Sequence, residues 1–170
     1  MEKKIIVFDV ETTGLDSDVD EVLQLSIIDS YENVLFNSYL KPYFKKEWPE
    51  AQNVHGITPA DVAFAPYPHE VADEVRAIIE GADIHIAYNG MLDKKFISRW
   101  NINFSYARYY DVMLDFAPIY AEWNNYFGSY KWQKLAVCAK YYGYTFNAHD
   151  ALEDVKATLY CWKKMQEDLT

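Results

Sequence analysis

Cysteine is scarce in this chain: Cys138 and Cys161 are the only two among 170 residues. Neither belongs to a Cys-x-x-Cys pair or lies near a histidine cluster. That pattern excludes a zinc–thiolate site or a disulfide framework as the organising feature, and both residues read as reduced core thiols. Long apolar runs are missing too. The longest is about six residues, against the ~20 that a membrane-spanning helix needs. The opening "MEKKIIVFDVE" has no signal-peptide apolar region or cleavage site, so the cytoplasm is the expected compartment and no membrane partner is expected. Cations are also in short supply, with 16 Lys and Arg against 26 Asp and Glu and a formal charge of −10. Proteins that grip long stretches of duplex are usually basic. The balance therefore argues against extensive non-specific duplex binding and leaves room for a small site that reads one strand end. No repeat, low-complexity tract or linker interrupts residues 1–170, so a single domain is expected. With 51% hydrophobic residues and 17% aromatics, the chain can build a sizeable core.

The periodicity supplies a coarse layout. Residues 4–11, 21–30 and 32–42 read as a three-strand meander, with a turn at 30–33. The stretch from Tyr43 reads as irregular until Thr58, a candidate N-cap with Pro59 at the first helical position. Residues 67–81 form an amphipathic helical pattern closed by Gly81, and 83–89 read as a short strand. Further helices are expected at 91–100, at 111–121 with a break at Pro118, at 131–143 with Gly143 at the end, and at 149–169. Strands first, then helices interleaved with a further strand, imply an α/β or α+β domain with a mixed sheet.

Within that layout, "DVETTG" at 9–14 is chemically odd. Side chains alternate faces along a strand, so Asp9 and Glu11 share a face with Ile5 and Val7, roughly 6–7 Å apart at Cβ. Two carboxylates that close repel one another. No Lys or Arg lies between Lys4 and Lys41 to compensate, which leaves a shared proton, a distant basic partner or a metal ion. A solvated strand end running into an acidic loop is the plainer alternative. Asp93 opens a helix just after a strand, where α/β proteins place their sites, although an Asp in a first turn also answers the helix dipole. On the wheel of the final helix, Leu152, Val155, Leu159 and Trp162 form the apolar stripe. Asp154 falls at its edge beside Thr158, Cys161 and Met165, away from the lysines. His149 precedes that helix by a short step.

Together these segments resemble the DnaQ-like 3′–5′ exonucleases of DEDDh type, which have a ribonuclease H-like fold. "FDVETTG" (8–14) is similar to the family's Asp-x-Glu motif with its Thr-Gly extension. "AYNGMLDKKF" (87–96) is similar to its Asn-x-x-x-Asp motif, with Tyr88 where His is usual. "HDALEDVKAT" (149–158) is similar to His-x-Ala-x-x-Asp, and "NVHGIT" (53–58) to a segment frequent between the first two motifs. The motifs come in family order and span nearly the whole chain. The sister subtype needs Tyr four residues before the last Asp, and none of the 15 tyrosines meets that condition.

The resemblance implies an α/β fold with a central five-stranded mixed sheet flanked by helices, and a phosphodiester hydrolase using two Mg²⁺ or Mn²⁺ ions. Hard carboxylate oxygens suit those ions, and two of them can activate water and neutralise the transition state. Asp9, Glu11, Asp93 and Asp154 would be the metal ligands and His149 the general base. Backbone near Thr12, Thr13 and Gly14 would meet the terminal 3′-hydroxyl, and Leu15 would pack on the terminal base. His55, Asn89 and Met91 would complete the substrate contacts. Tyr88 and Phe96 also lie near the motifs, where core packing is the plainer reading. Lys94, Lys95, Arg99, Lys131 and Lys134 could meet phosphates, although solvated helix charge is the plainer reading for each. The expected partners are single-stranded DNA or RNA 3′ ends, with DNA favoured, and a separately encoded polymerase. The chain stops at Thr170, so an epsilon-type polymerase-binding tail is not expected. Three alternatives stand beside this reading. They are an idle nucleic-acid-binding or polymerase-accessory subunit of the same fold, an oligoribonucleotide-trimming exonuclease, and a ribonuclease H-like endonuclease or recombinase. The aromatic-rich stretch Trp123–Trp132 reads as core cover, a lid or an interface, and the oligomeric state stays open.

Overall fold

The computed structural model describes residues 3–168. The meander appears as expected, with β1 (Ile5–Thr12), β2 (Val22–Asp29) and β3 (Val34–Tyr39) paired antiparallel. β4 (Ile84–Ala87) then pairs parallel to β1, and β5 (Arg108–Asp111) parallel to β4. The order β3-β2-β1-β4-β5 makes a five-stranded mixed sheet with β1 at its centre. Parallel neighbours need crossover connections. Here these are α2 (Pro68–Glu80), on the path from β3 to β4, and α3 (Met91–Ser98), between β4 and β5. α4 (Val112–Tyr120), the small hairpin β6 (Trp123–Asn124) and β7 (Ser129–Tyr130), α5 (Leu135–Tyr141) and α6 (Ala151–Glu167) complete the chain.

The period-2 pattern of β1 decides the two faces. Ile6, Phe8 and Val10 pack with Val75 and Ile79 of α2 and with Phe96 and Ile97 of α3. Val7 points to the opposite face, among Val112 and Phe116 of α4, Cys138 of α5, and Val155 and Leu159 of α6. Asp9 and Glu11 therefore emerge on the α6 side, at the end of the strand that carries the sheet's centre.

Several expectations need correcting. No helix starts at Thr58. Its N–H and hydroxyl donate to Asp61 Oδ2 at 2.7 and 2.6 Å, closing a turn. Pro66 and Pro68 follow too soon for a helix from Pro59 to gain length, because the residue before a proline avoids helical backbone. A short helix, α1 (Pro49–His55), lies upstream instead, in the stretch read as irregular. Pro118 does not break its helix: α4 runs through it to Tyr120, and the Ala121 N–H still reaches the Ala117 carbonyl at 3.0 Å. In so short a helix, proline removes one bond, to the carbonyl of exposed Leu114. β5 and the β6–β7 hairpin were not anticipated, being four and two residues per strand. Helix α6 buries Thr158, Cys161 and Met165, while Leu152 and Trp162 are only partly covered. Its buried arc is thus rotated toward Asp154. The last residue expected in that helix, 169, lies outside the described residues.

Candidate active site

Three chain segments meet at the C-terminal end of β1. The first is β1 itself, where Asp9 pairs with Ser26 and Glu11 with Gln24 of β2. The second is the start of α6. The Gln24 side-chain oxygen accepts the Ala151 N–H at 3.3 Å, which fixes the beginning of the helix against β2 beside Glu11. Asp150 caps the helix, its Oδ1 accepting from Leu152 and Glu153 N–H at 3.0 and 3.2 Å. His149 sits just outside with φ +71°, and its N–H donates to Asp154 Oδ1 at 3.2 Å. One turn of chain thereby orients both residues. Glu11, His149 and Asp154 each offer a ligand atom, and these atoms lie within 4.8 Å of one another.

The third segment is the β4–α3 turn, which carries Asp93 in the first turn of α3, 8% exposed. Asn89 adopts φ +58° there. A Cβ on Gly90 would lie 2.4 Å from the Ala87 Cβ and 2.8 Å from the Tyr109 hydroxyl oxygen, so the close approach requires glycine. The turn is held from β5 by Asp111. Its Oδ1 accepts the N–H groups of Asn89 (2.9 Å) and Met113 (3.1 Å), and its Oδ2 accepts the Tyr109 hydroxyl (3.1 Å). Asp111 is not among the site residues that the sequence motifs mark. An Asp opening a helical pattern is a strong N-cap signal, but nothing local says that the same carboxylate also braces the turn that bears Asp93.

The electrostatics follow from crowding acids in one place. Burial raises Asp9 well above the usual carboxylate range, and Asp93, Asp154, Glu11 and Asp150 push it further. Burial, then Asp154 and Asp150, carries Glu11 up to about 8. Burial carries Asp154 up to about 7 against the opposing His149 amide bond, with Asp150 and Glu153 adding to the rise. Asp93 is raised by burial, then by Glu11, Asp111 and Asp154. Among the described residues six ion pairs form, and none involves these four acids. Among the described residues, no Lys or Arg is paired to this concentration of negative charge. Four carboxylates beside one imidazole, with their charge uncompensated, fit hard divalent cations. The acidic-loop alternative loses ground here, since the acids converge rather than disperse.

Thr12, Thr13, Gly14, Leu15 and His55 line one cavity of about 770 Å³ that opens beside Glu11, with Trp48 and Val54 in its wall. Leu15 is 79% exposed. Thr13 is buried, its hydroxyl donating to Asp20 Oδ1 at 3.0 Å and its N–H to the Glu21 carbonyl at 2.8 Å. His55 Nδ1 accepts the Ile57 N–H at 3.0 Å, so Nε2 carries the proton toward the Thr12 carbonyl at 3.1 Å. Burial lowers the His55 pKa, which favours this neutral form. Trp48 is buried and donates to the Ile57 carbonyl at 2.8 Å, which pins α1 and His55 in place. Met91, 58% exposed, does not line this cavity but a second groove along α3, and the Asn89 N–H is committed to Asp111. Tyr88, where the family usually has His, donates its hydroxyl to the Gln133 carbonyl at 2.7 Å.

Comparison with known proteins places the chain. The family model RNase_T, described as Exonuclease, matches residues 6–161. The 3′–5′ exonuclease DinG of Staphylococcus saprophyticus is 29% identical over 160 residues, covering 89% of this chain and 17% of that protein. The PolC-type DNA polymerase III of Staphylococcus aureus is 26% identical over 168 residues, covering 96% of this chain and 11% of that protein. The chain thus spans less than a fifth of the length of these relatives. Escherichia coli Exonuclease I in complex with a dA16 oligonucleotide has a TM-score of 0.77 at 22% identity, covering 99% of this chain and 42% of that one. Exonuclease X in complex with 5′ overhanging duplex DNA has a TM-score of 0.71 at 17% identity, covering 96% and 92%. These likenesses are in fold, and the shared architecture is the ribonuclease H-like mixed sheet flanked by helices.

Proposed function

The chain belongs to the RNase_T exonuclease family, and from that premise we propose that it is a DEDDh-type 3′–5′ exonuclease. In this reading residues 1–170 are one nuclease domain, which removes nucleoside 5′-monophosphates from single-stranded 3′ ends and prefers DNA to RNA. The observation that carries it is the meeting of Glu11, His149 and Asp154 within 4.8 Å beside Asp9 and Asp93, with none of the acids in an ion pair among the described residues. Asp9, Glu11, Asp93 and Asp154 would hold two Mg²⁺ or Mn²⁺ ions. Such ions, when bound, lower the pKa of water and neutralise charge on a phosphodiester.

The chain's own residues do the rest. His149 takes the proton from the attacking water, and its exposed loop position gives the ring access to substrate. The 770 Å³ cavity receives the terminal nucleoside, with Leu15 against the base and the Thr12–Gly14 backbone near the 3′-hydroxyl. His55 holds the Thr12 carbonyl in place. The dA16 bound to Exonuclease I and the polymerase context of the PolC relative support single-stranded DNA as substrate and a polymerase as partner.

The test is cleavage of 5′-labelled single-stranded DNA and RNA of matched sequence with Mg²⁺, Mn²⁺ or EDTA, alongside Asp9→Ala and His149→Ala. A ladder that shortens from the 3′ end, needs metal and disappears in both variants is expected, with DNA faster. Faster RNA cleavage would move the substrate to oligoribonucleotides. No cleavage of either strand by protein that binds Mn²⁺ would leave the idle binding subunit.

A further inference from the structure

We propose that the groove along α3 is the track for the phosphodiester backbone 5′ of the scissile bond; this rests on the nuclease reading above and extends it to the upstream strand. The groove encloses about 530 Å³ between α3 and the loop that follows "DVETTG", and Met91, Lys94, Lys95, Arg99, Phe104 and Ser17 are among its walls. Its near end is Met91, in the same first turn of α3 as Asp93, and Lys94 lies against Tyr109, whose hydroxyl bonds the Asp111 that braces that turn.

Its charge is the unusual feature. The chain carries −10 overall, yet three of its 16 cations line this one groove, opposed there only by Asp18. Six other Lys and Arg side chains form the ion pairs among the described residues, and Lys94, Lys95 and Arg99 are in none of them. Lys95 and Arg99 stand at i and i+4, where like charges face each other and repel. Lys94 rests its ammonium 3.5 Å from the Tyr109 ring centroid and 5.7 Å from that of Phe104. Aromatic faces hold a cation without neutralising it. Arg99 donates to the Ser17 carbonyl, a bond that ties the two walls together and leaves the positive charge unpaired. An acidic protein with carboxylates to spare has thus kept three cations out of ion pairs along the helix whose first turn carries Asp93.

Anions delivered in a row, with bases attached, match this surface. Phosphates would meet the three cations, and bases would lie against exposed Met91 and the half-buried Phe104 ring. Three contacts are too few to grip duplex, but they suffice to keep a short single strand from leaving between cleavages.

The experiment compares two substrates with wild-type protein, the Lys95→Ala/Arg99→Ala double variant and the Lys95→Glu single variant. One substrate is a 5′-labelled single-stranded DNA oligonucleotide. The other is the p-nitrophenyl ester of thymidine 5′-monophosphate, which is too small to reach the groove. Each single-strand phosphate contact contributes a slope of about −0.7 in log affinity against log salt, so a fourfold rise in salt costs about 2.6-fold per contact. The double variant should flatten the salt slope of KM for the oligonucleotide by about 1.4 and raise KM several-fold at low salt with kcat kept. Lys95→Glu should raise the oligonucleotide KM as well, which separates charge from any loosening of the Arg99–Ser17 tie. Ester hydrolysis should match wild type in both variants. Unchanged oligonucleotide KM and salt slope, in protein that cleaves both substrates, would overturn the track alone. Wild-type protein that cleaves neither substrate would overturn the nuclease reading and the track with it.

Discussion

Without metal, the carboxylate cluster should cost this protein stability as the pH rises from about 5.5 to about 7. Glu11 is raised from 4.5 to about 8, and Asp154 from 3.8 to about 7. A raised carboxylate pKa means that the folded state keeps a proton the unfolded chain has already lost. Between the ordinary and the raised value, stability therefore falls with pH, by about 1.36 kcal/mol per unit per group. Over that window each group would lose about 2 kcal/mol. The two losses overlap, because the Asp154 charge is itself part of what raises Glu11, so about 2–3 kcal/mol is expected for the pair. His55 and His85 act in the opposite sense. Burial lowers both, so the unfolded chain binds protons that the fold does not, and their contribution grows with pH. Asp20 and Asp29, lowered by their partners, act below this window. The clean measurement is therefore a difference. Wild-type protein and a Glu11→Gln/Asp154→Asn variant are unfolded by heat in EDTA at several pH values, followed by circular dichroism. The variant should gain about 2–3 kcal/mol on wild type across the window, or about 4–12 °C in Tm for a chain of this size. Adding Mn²⁺ near neutral pH should raise the Tm of wild type and leave that of the variant unmoved. A Tm difference that stays constant with pH would refute the argument that burial and mutual repulsion raise these acids in the fold.

Three further outcomes can be checked with less work. His149→Ala should lower kcat by about 10²- to 10⁴-fold while the Mn²⁺-induced rise in Tm persists; loss of that rise would make His149 a ligand rather than a base. Asp111→Ala strands the Asn89 and Met113 N–H groups and the Tyr109 hydroxyl, so about 2–4 kcal/mol of stability should be lost. The Mg²⁺ needed for half-maximal cleavage should rise in parallel, whereas Asp111→Asn should keep most of both, and equal damage from the two variants would argue against a bracing role. Gly90→Ala drives a methyl group into Ala87 and Tyr109, with about 1–3 kcal/mol of destabilisation and weakened metal response expected in a Mn²⁺ titration. Unchanged Tm and metal response in that variant would show that the turn yields freely.

The residues of the candidate site were legible because their spacing is local. Asp9 and Glu11 are two apart on one strand, so the pleat alone puts them on one face. His149 and Asp154 straddle a helix start, and one hydrogen bond from the His149 amide fixes their relation. What failed in the reading were features that no local pattern encodes. β5 is four residues at a sheet edge, too short to show alternation, and its existence depends on β4 offering it a partner. Thr58 and Pro59 look like a helix start, but the capping groups of Thr58 are spent on Asp61. Pro118 looks like a break, yet a helix needing few bonds tolerates the loss of one.

The sequence by itself determined the acids, the histidine and their order along the chain, together with the period-2 and period-3.6 patterns that build a mixed sheet and its helices. Only the tertiary structure decided that segments around residues 9, 93, 111 and 150 meet at one end of β1. It also decided that Gln24 and Asp111 brace the pieces, and that three cations outside the ion pairs line one groove along α3. The reason is physical. A carboxylate's chemistry depends on how much water it has lost and which charges surround it, and those neighbours come from strands and helices far apart in the chain.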